Sequence, residues 1–241
     1  MKYRDALVTK IGNKNIVITT DNSVSIGKQK HDLVNVDPEL VGQLTARVAL
    51  LEAISLNAKP LAVSCTLSFP FTNNIAQQIL LGIKKEMSNY NLTKAQLTGS
   101  CESNFPATVT AIGVTVVSEL RQNALMSKIQ PNDRVFVIGM PLVGPEVVEN
   151  LRVLPTANSV KSLLALDYVH EIIPCGSGGV NSELKQVTLN TGYRIELTDT
   201  RLNLHKSAGP ASCLLVIGNI NLHQINQVVK NQVSLIGYIK E

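Results

Sequence analysis

Three carboxylates stand where a folded chain can hold a hard cation. Glu102 lies in Leu97-Thr98-Gly99-Ser100-Cys101-Glu102-Ser103-Asn104-Phe105-Pro106, a turn of small residues that leads into the strand-like run Ala107 to Val117. A loop acid backed by strands is fixed by the scaffold and left open to a ligand. Asp21 follows the β-branched run Ile16-Val17-Ile18-Thr19-Thr20, and Glu52 lies on a helical stretch. The chemistry these suggest is a Mg-nucleotide site, because Mg2+ takes one or two carboxylates together with phosphate oxygens and waters. Each acid also has a plainer reading. Asp21 suits the start of an Asx turn, Glu52 an exposed helix position, and Glu102 a solvated loop. Asp5, just before Leu7 and Val8, is a fourth candidate ligand if a terminal strand carries it to a subunit interface, and a solvated terminus otherwise. Cys101 reads as a small packing residue.

The second half offers anion-binding turns. Pro174-Cys175-Gly176-Ser177-Gly178-Gly179-Val180 runs from a strand into a helix, the geometry in which backbone N–H groups hold a phosphate. Gly176, Ser177 and Gly179 are the candidate contacts there, with Gly99 and Ser100 in the first half. No Lys-Ser/Thr pair follows the glycines, so this is not a Walker loop. His205-Lys206-Ser207-Ala208-Gly209-Pro210 presents a cation beside small residues, and Lys206 is placed either to meet a phosphate or substrate hydroxyl, or simply to be solvated in a tight turn. The four histidines are too scattered to form a catalytic or metal set.

The elements that must position these groups alternate. In the first half a strand at Ile16 to Thr20 leads through a Gly-containing loop, Ser23 to Asp37, into a helix opened by Pro38-Glu39. Leu40, Leu44, Val48 and Leu51 recur at helical spacing and are expected to be the core stripe. Leu61 to Leu67 reads as a buried strand. Thr72 or Asn73 caps a second helix with the stripe Ile75, Ile79, Ile83 and Met87. Arg121 to Pro131 reads as a linker. The second half then gives strands at Arg134 to Ile138, Val169 to Ile173, Tyr193 to Leu197, Cys213 to Ile217 and Ser234 to Ile239. Helices are expected near Glu146 to Val153 and Ser159 to Leu166. The organisation is therefore α+β in two domains, 1–124 and 125–241.

A chain of 241 residues, 44% apolar and 17% charged, buries a real core in either domain and carries no disorder signal. The net charge of +4 is spread without a basic run, so nucleic acid is not an expected partner. No apolar run reaches a membrane span of about 20 residues, and no amino-terminal signal region is visible. Four widely spaced cysteines without a CxxC pair fit a reducing compartment, and the expected location is the cytoplasm.

In order, these motifs resemble the superfamily of aminoimidazole ribonucleotide synthetase, thiamine-monophosphate kinase, selenophosphate synthetase and the hydrogenase-maturation dehydratase. The matching residues are Thr20-Asp21-Asn22, Glu52 through Ala58-Lys59-Pro60, and Thr98-Gly99-Ser100-Cys101-Glu102, with Asp133-Arg134-Val135 to Gly139 like the start of that superfamily's second domain. A short subfamily that looks like α-ribazole kinase is closest, through Thr45 to Glu52, Leu97 to Ser100, Glu102 to Pro106, Ala111 to Val116 and Lys206 to Ala211. The resemblance implies a homodimer whose first domains pair into a shared β-barrel, a second domain that is an α/β sandwich, and ATP bridged by Mg2+ to the acids. It implies a kinase acting on a small-molecule riboside, α-ribazole, with an ATP-dependent cyclo-ligase or dehydratase, or a non-catalytic nucleotide binder, as alternatives. The chain departs from the pattern where Asn22 replaces a second aspartate, where Glu replaces Asp at positions 52 and 102, and where Gly178 replaces a lysine.

Overall fold

The computed structural model describes residues 2–121 and 127–241. They divide into two compact units, one of residues 1–54 and 58–121, the other of residues 55–57 and 122–241. The expected boundary at 124/125, and residues 122–126 of the expected linker, lie outside the described residues.

The first unit is a six-stranded sheet with two helices. Its strands are β1 (Lys2–Tyr3), β2 (Ala6–Ile11), β3 (Lys14–Val24), β6 (Ala58–Leu67), β7 (Leu97–Cys101) and β8 (Ala111–Leu120), in the order β1-β2-β3-β8-β6-β7. Short strands β4 (Ile26–Gly27) and β5 (Val34–Asn35) pair inside the loop after β3. The sheet is open, with β1 and β7 at its edges. It is mostly antiparallel; only β6 and β7 run parallel, joined through the helix that separates them in sequence.

The helices are α1 (Pro38–Ser55) and α2 (Asn74–Ser88). Asp37 starts α1, its carboxylate accepting the Glu39 N–H at 3.1 Å, and Pro38 occupies the first turn as the sequence leads one to expect. Asn73 caps α2, accepting the Ile75 N–H at 2.8 Å. The buried face of α2 includes Ile79, Ile83 and Met87, as expected. The buried face of α1 is not the expected one. Of the expected stripe Leu51 is buried, but Leu40, Leu44 and Val48 are only half-buried, while Val41, Thr45, Ala46, Ala49, Leu50 and Ala53 are covered. The buried set also has helical spacing, but it is built of small residues, which the apolar-stripe rule undervalues. Small residues are selected there by contact between helix backbones. A Cβ on Gly42 would lie 2.1 Å from the Ile79 carbonyl oxygen, and one on Gly82 would lie 1.8 Å from that of Glu39.

The second unit is a five-stranded antiparallel sheet ordered β10-β12-β9-β13-β11, from β9 (Arg134–Gly139), β10 (Val169–Pro174), β11 (Arg194–Leu197), β12 (Cys213–Gly218) and β13 (Val233–Lys240). The central strands β9 and β12 are buried along nearly their whole length, so both faces are covered. Helix α5 (Gly179–Thr191) lies over one face with Val135, Val137, Leu215 and Ile217; α4 (Ala157–Leu164) and α6 (Leu222–Val228) pack over the other. The stretch expected as one helix near Glu146 to Val153 is broken into the short helix α3 (Pro145–Glu149) and a 3-10 turn at Leu151–Val153, and α6 was not among the expected helices. Among the described residues, no helix is long and apolar enough to cross a membrane.

The Gly42 and Gly82 contacts make a sharp test. Gly82→Ala gains about 1 kcal/mol of helix propensity but must push α1 away, an overpacking cost of typically 1–3 kcal/mol or more. The variant is expected to unfold at a lower temperature than the wild type in calorimetry. An equal or higher midpoint would refute the close crossing.

Candidate functional site

Asp21 is not at the end of its strand but inside it, because β3 continues to Val24. The register Asp21↔Val114, Cys65↔Val114 and Cys65↔Gly99 puts all four residues in one row across the sheet. Side chains alternate between faces, so Asp21 shares the face of Val17 and Thr19, and the Thr19 hydroxyl donates to the Ala49 carbonyl of α1 at 2.7 Å. Asp21 therefore sits on the helix-covered face. Burial pushes its carboxyl up to about 6, offset in part by the N–H of Asn22. It is a desolvated carboxylate with no cation paired to it among the described residues, the environment that favours a divalent ion or a proton.

The other acids are used differently. Glu52 is buried and its Oε2 lies 3.9 Å from Nη2 of Arg4, itself buried on the turn after β1. Asp5, next along that turn, is exposed. Glu102 is exposed and closes its own turn, accepting the N–H of Asn104 at 2.6 Å and of Phe105 at 3.3 Å; these amides hold its carboxyl below the usual range. Gly99 and Asp21 are three strand spacings apart, roughly 14 Å. Gly99 owes its small size to packing, since a Cβ would lie 2.5 Å from the Cys65 carbonyl oxygen. Ser100 is exposed on the opposite face, level with Thr66. Among the described residues, no three His, Cys, Asp or Glu side chains form a group able to hold a metal ion. A cage built from this chain alone does not fit. A Mg2+ arriving on phosphate oxygens needs only one or two carboxylates, and Asp21 has the environment for it.

An acid that sequence reasoning passed over organises this end of the sheet. Asp32 accepts the Gln29 N–H, the Thr110 N–H and the Thr110 hydroxyl, each at 2.7 Å. It ties the loop after β3 to the segment that enters β8. Its signal was the Gln-x-x-Asp spacing of a side-chain-closed turn within a polar loop.

In the second unit the structure brings the two turns together. Residues 139–146 leave β9, residues 174–179 leave β10, and residues 204–212 enter β12, which runs antiparallel to both, so all three meet at one end of the sheet. The Ala208 N–H donates to the Gly176 carbonyl at 3.1 Å and the Asn181 N–H to that of Leu204 at 2.8 Å. Gly179, at φ +69, has no room for a Cβ, which would lie 2.5 Å from the Lys206 carbonyl oxygen. Lys206, read from the sequence either as a phosphate or hydroxyl contact or as a solvated turn lysine, pairs with Glu146 at 2.7 Å. Glu146 also accepts the Val143 N–H at 3.1 Å, and Lys206 with that amide holds its carboxyl below the usual range. The pair is half-exposed and of the kind worth little in water, so an incoming phosphate can displace Glu146. No residue caps the N-terminus of α5 through its side chain. Ser177 is exposed at the mouth of this turn.

Residues 3–119 match the model of the AIR synthase related protein, N-terminal domain. The first unit is an AIR synthase-related N-terminal domain. No curated protein matches the chain by sequence. Solved structures resemble it across both units. Thiamine monophosphate kinase from Aquifex aeolicus aligns at 18% identity over 100% of this chain and 90% of its own, with a TM-score of 0.70. The hydrogenase maturation protein HypE from E. coli aligns at 15% identity over 94% and 80%, TM-score 0.72. Phosphoribosylformylglycinamidine synthase II from Thermotoga maritima aligns at 14% identity over 98% of this chain but 37% of its own, TM-score 0.62. At these identities the likeness is one of fold, and the fold is that of aminoimidazole ribonucleotide synthetase.

The Asp21 environment has a pH signature. With the folded-state value raised to about 6 from 3.8, the carboxyl is protonated in both states below about pH 4. As pH rises the unfolded chain ionises first and the native state loses stability, on the order of 2–3 kcal/mol by neutral pH. Asp21→Asn is expected to melt with the wild type near pH 4 and above it from pH 6.5 upward. A pH-independent difference between the two melting curves would contradict a desolvated Asp21.

Proposed function

We propose that this protein is a Mg-ATP-dependent phosphotransferase that phosphorylates a riboside hydroxyl, with α-ribazole, converted to its 5'-phosphate, as the acceptor. Asp21 carries this reading: an AIR synthase-related domain whose sheet presents a desolvated acid on its helix-covered face has the ligand that a phosphate-borne Mg2+ requires. Support comes also from the fold it shares with a thiamine monophosphate kinase, including AaThiL complexed with AMPPCP and TMP (19% identity, TM-score 0.68).

In this reading Asp21 holds a phosphate-borne cation with Asp5 assisting, and Glu102, beyond Gly99 and roughly 14 Å or more away across the sheet, would meet a second cation on the same nucleotide; bound Mg2+ would supply charge neutralisation on the transferring phosphoryl group. Glu52, paired with Arg4, keeps that edge of the sheet in place. In the second unit, Lys206 and the Gly176–Gly179 turn orient an anionic group at the N-terminus of α5. Such transfer depends on positioning and electrostatics more than on covalent participation, so the lack of an assigned general base is no obstacle. The homodimer we propose uses the outer face of the first sheet, where Thr20, Asn22, Thr66 and Ser100 stand exposed beside the half-buried Ile18, Ser64, Thr115 and Val117.

The deciding assay mixes the protein, Mg-ATP and α-ribazole, with thiamine monophosphate as a parallel acceptor. Expected are a phosphorylated riboside and ADP in equal amounts. Inorganic phosphate in place of a phosphorylated product would move the reading to the cyclo-ligase or dehydratase type. Glu102→Gln keeps an oxygen for the Asn104 and Phe105 amides, so the fold should stand while turnover falls by about 10²-fold or more, the usual weight of a lost charge-stabilising contact. Full activity in that variant removes Glu102 from the site.

A further inference from the structure

We infer that the second unit carries a separate anion pocket, on the sheet face covered by α4 and α6, that takes the phosphomonoester of a small organic molecule. A cavity of about 440 Å³ opens where β9 ends at Gly139, between the segment leading into α4 and the segment joining α6 to β13. That volume is in the range of small-molecule sites.

The lining has one sign of charge. Arg152 and Lys230 both face the cavity, and no Asp or Glu does. Neither cation has an ion pair among the described residues. Asn158 and Ser162 also line it, and their neutral side chains have no hydrogen-bond partner among the described residues. Both side chains are exposed at the rim, and two cations around one concavity with no acid in its lining set up a positive potential open to an anion.

These free donors stand on a tied-down frame. The Asn231 amide donates to the Val153 carbonyl at 2.7 Å, and Ser159 Oγ donates to Asn231 Oδ1 at 3.3 Å. Thr156 and Ser159 close a capping box at the start of α4, the Ser159 N–H donating to Thr156 Oγ1 at 3.2 Å. Three chain segments are thereby held together while the cations and amides on their rims remain unengaged, which is the arrangement of a preorganised site. The positive end of the α4 dipole adds to the same potential. Two cations with several neutral donors and no acid suit a doubly charged phosphate, since Arg presents a planar fork to its oxygens. The apolar wall, Met140, Val153 and Val228, is where the organic body of the ester rests.

Titration calorimetry at low salt, with ribose 5-phosphate, inorganic phosphate and ribose as probes, tests this on the full chain. Expected are saturable binding of the ester, weaker binding of inorganic phosphate, and none of ribose. The double variant Arg152→Gln with Lys230→Gln, and separately Ser162→Tyr, which fills the cavity but keeps both charges, should each weaken the ester by about tenfold or more, with melting temperatures matched to the wild type. Asp21→Asn should bind the ester as the wild type does, so the outcome stands apart from that of the kinase assay. No saturable binding at millimolar ester, or equal affinity in both variants, overturns the pocket. Inorganic phosphate binding as tightly as the ester overturns the assignment of an organic phosphomonoester.

Discussion

The antiparallel ladder between β3 and β8 fixes most of what matters in the first unit. It pairs Ile16 to Val24 with Ala111 to Glu119 without a break. In a sheet, a slip of one residue exchanges the two faces. The unbroken register is therefore what puts Val17, Thr19 and Asp21 against the helices and leaves Ile18, Thr20 and Asn22 outward. Thr19 locks the choice, because its hydroxyl reaches the Ala49 carbonyl of α1. An acid two residues further along the same strand then has no option but partial desolvation. The raised carboxyl of Asp21 is a consequence of register, not of a specific neighbour.

The helices answer to a different constraint, backbone contact at Gly42 and Gly82. Contact that close requires small residues on the shared face, which explains why Ala46, Ala49 and Ala53 are covered while the larger Leu40 and Leu44 stand half out. Hydrophobic periodicity weighs size and apolarity, so it finds Leu51 but undervalues the alanines on the shared face. The strands were more legible, since β-branched runs such as Ile16 to Thr20 and Cys213 to Ile217 carry their signal in residue type. Helix α6 was not, because seven residues with a single buried isoleucine leave no stripe to read.

Among the candidate site residues, sequence located the segments better than the states of the side chains. Glu102 lies in the turn expected of it, yet the turn is closed by the carboxylate itself. Lys206 and the Gly176 to Gly179 turn do meet, through backbone contacts that only Gly179 permits, but Glu146 is the partner that no local pattern revealed. Pairings of this kind span 60 residues or more. They depend on which loops share an end of a sheet, and strand order is not written in any local window.

The two units therefore differ in how their charges are left. In the first, the buried or loop-closing acids other than Asp21 are engaged: Glu52 with Arg4, Glu102 with its own turn, Asp32 with Thr110, Glu86 with Gln43 and Asn89. In the second, His170 binds Asp133 at 2.7 Å and Lys206 binds Glu146, while Arg152 and Lys230 are left without a counter-charge. A covered charge such as Asp21 costs free energy unless something compensates it, whereas the exposed Arg152 and Lys230 are solvated and act through the potential they set up in one concavity. A lone desolvated carboxylate calls for a cation, and a pair of unmatched cations calls for an anion. A molecule that handles a metal-borne phosphate in one unit and an organic phosphate in the other would carry charges placed as Asp21 and the Arg152–Lys230 pair are, one inside a sheet and two around one concavity.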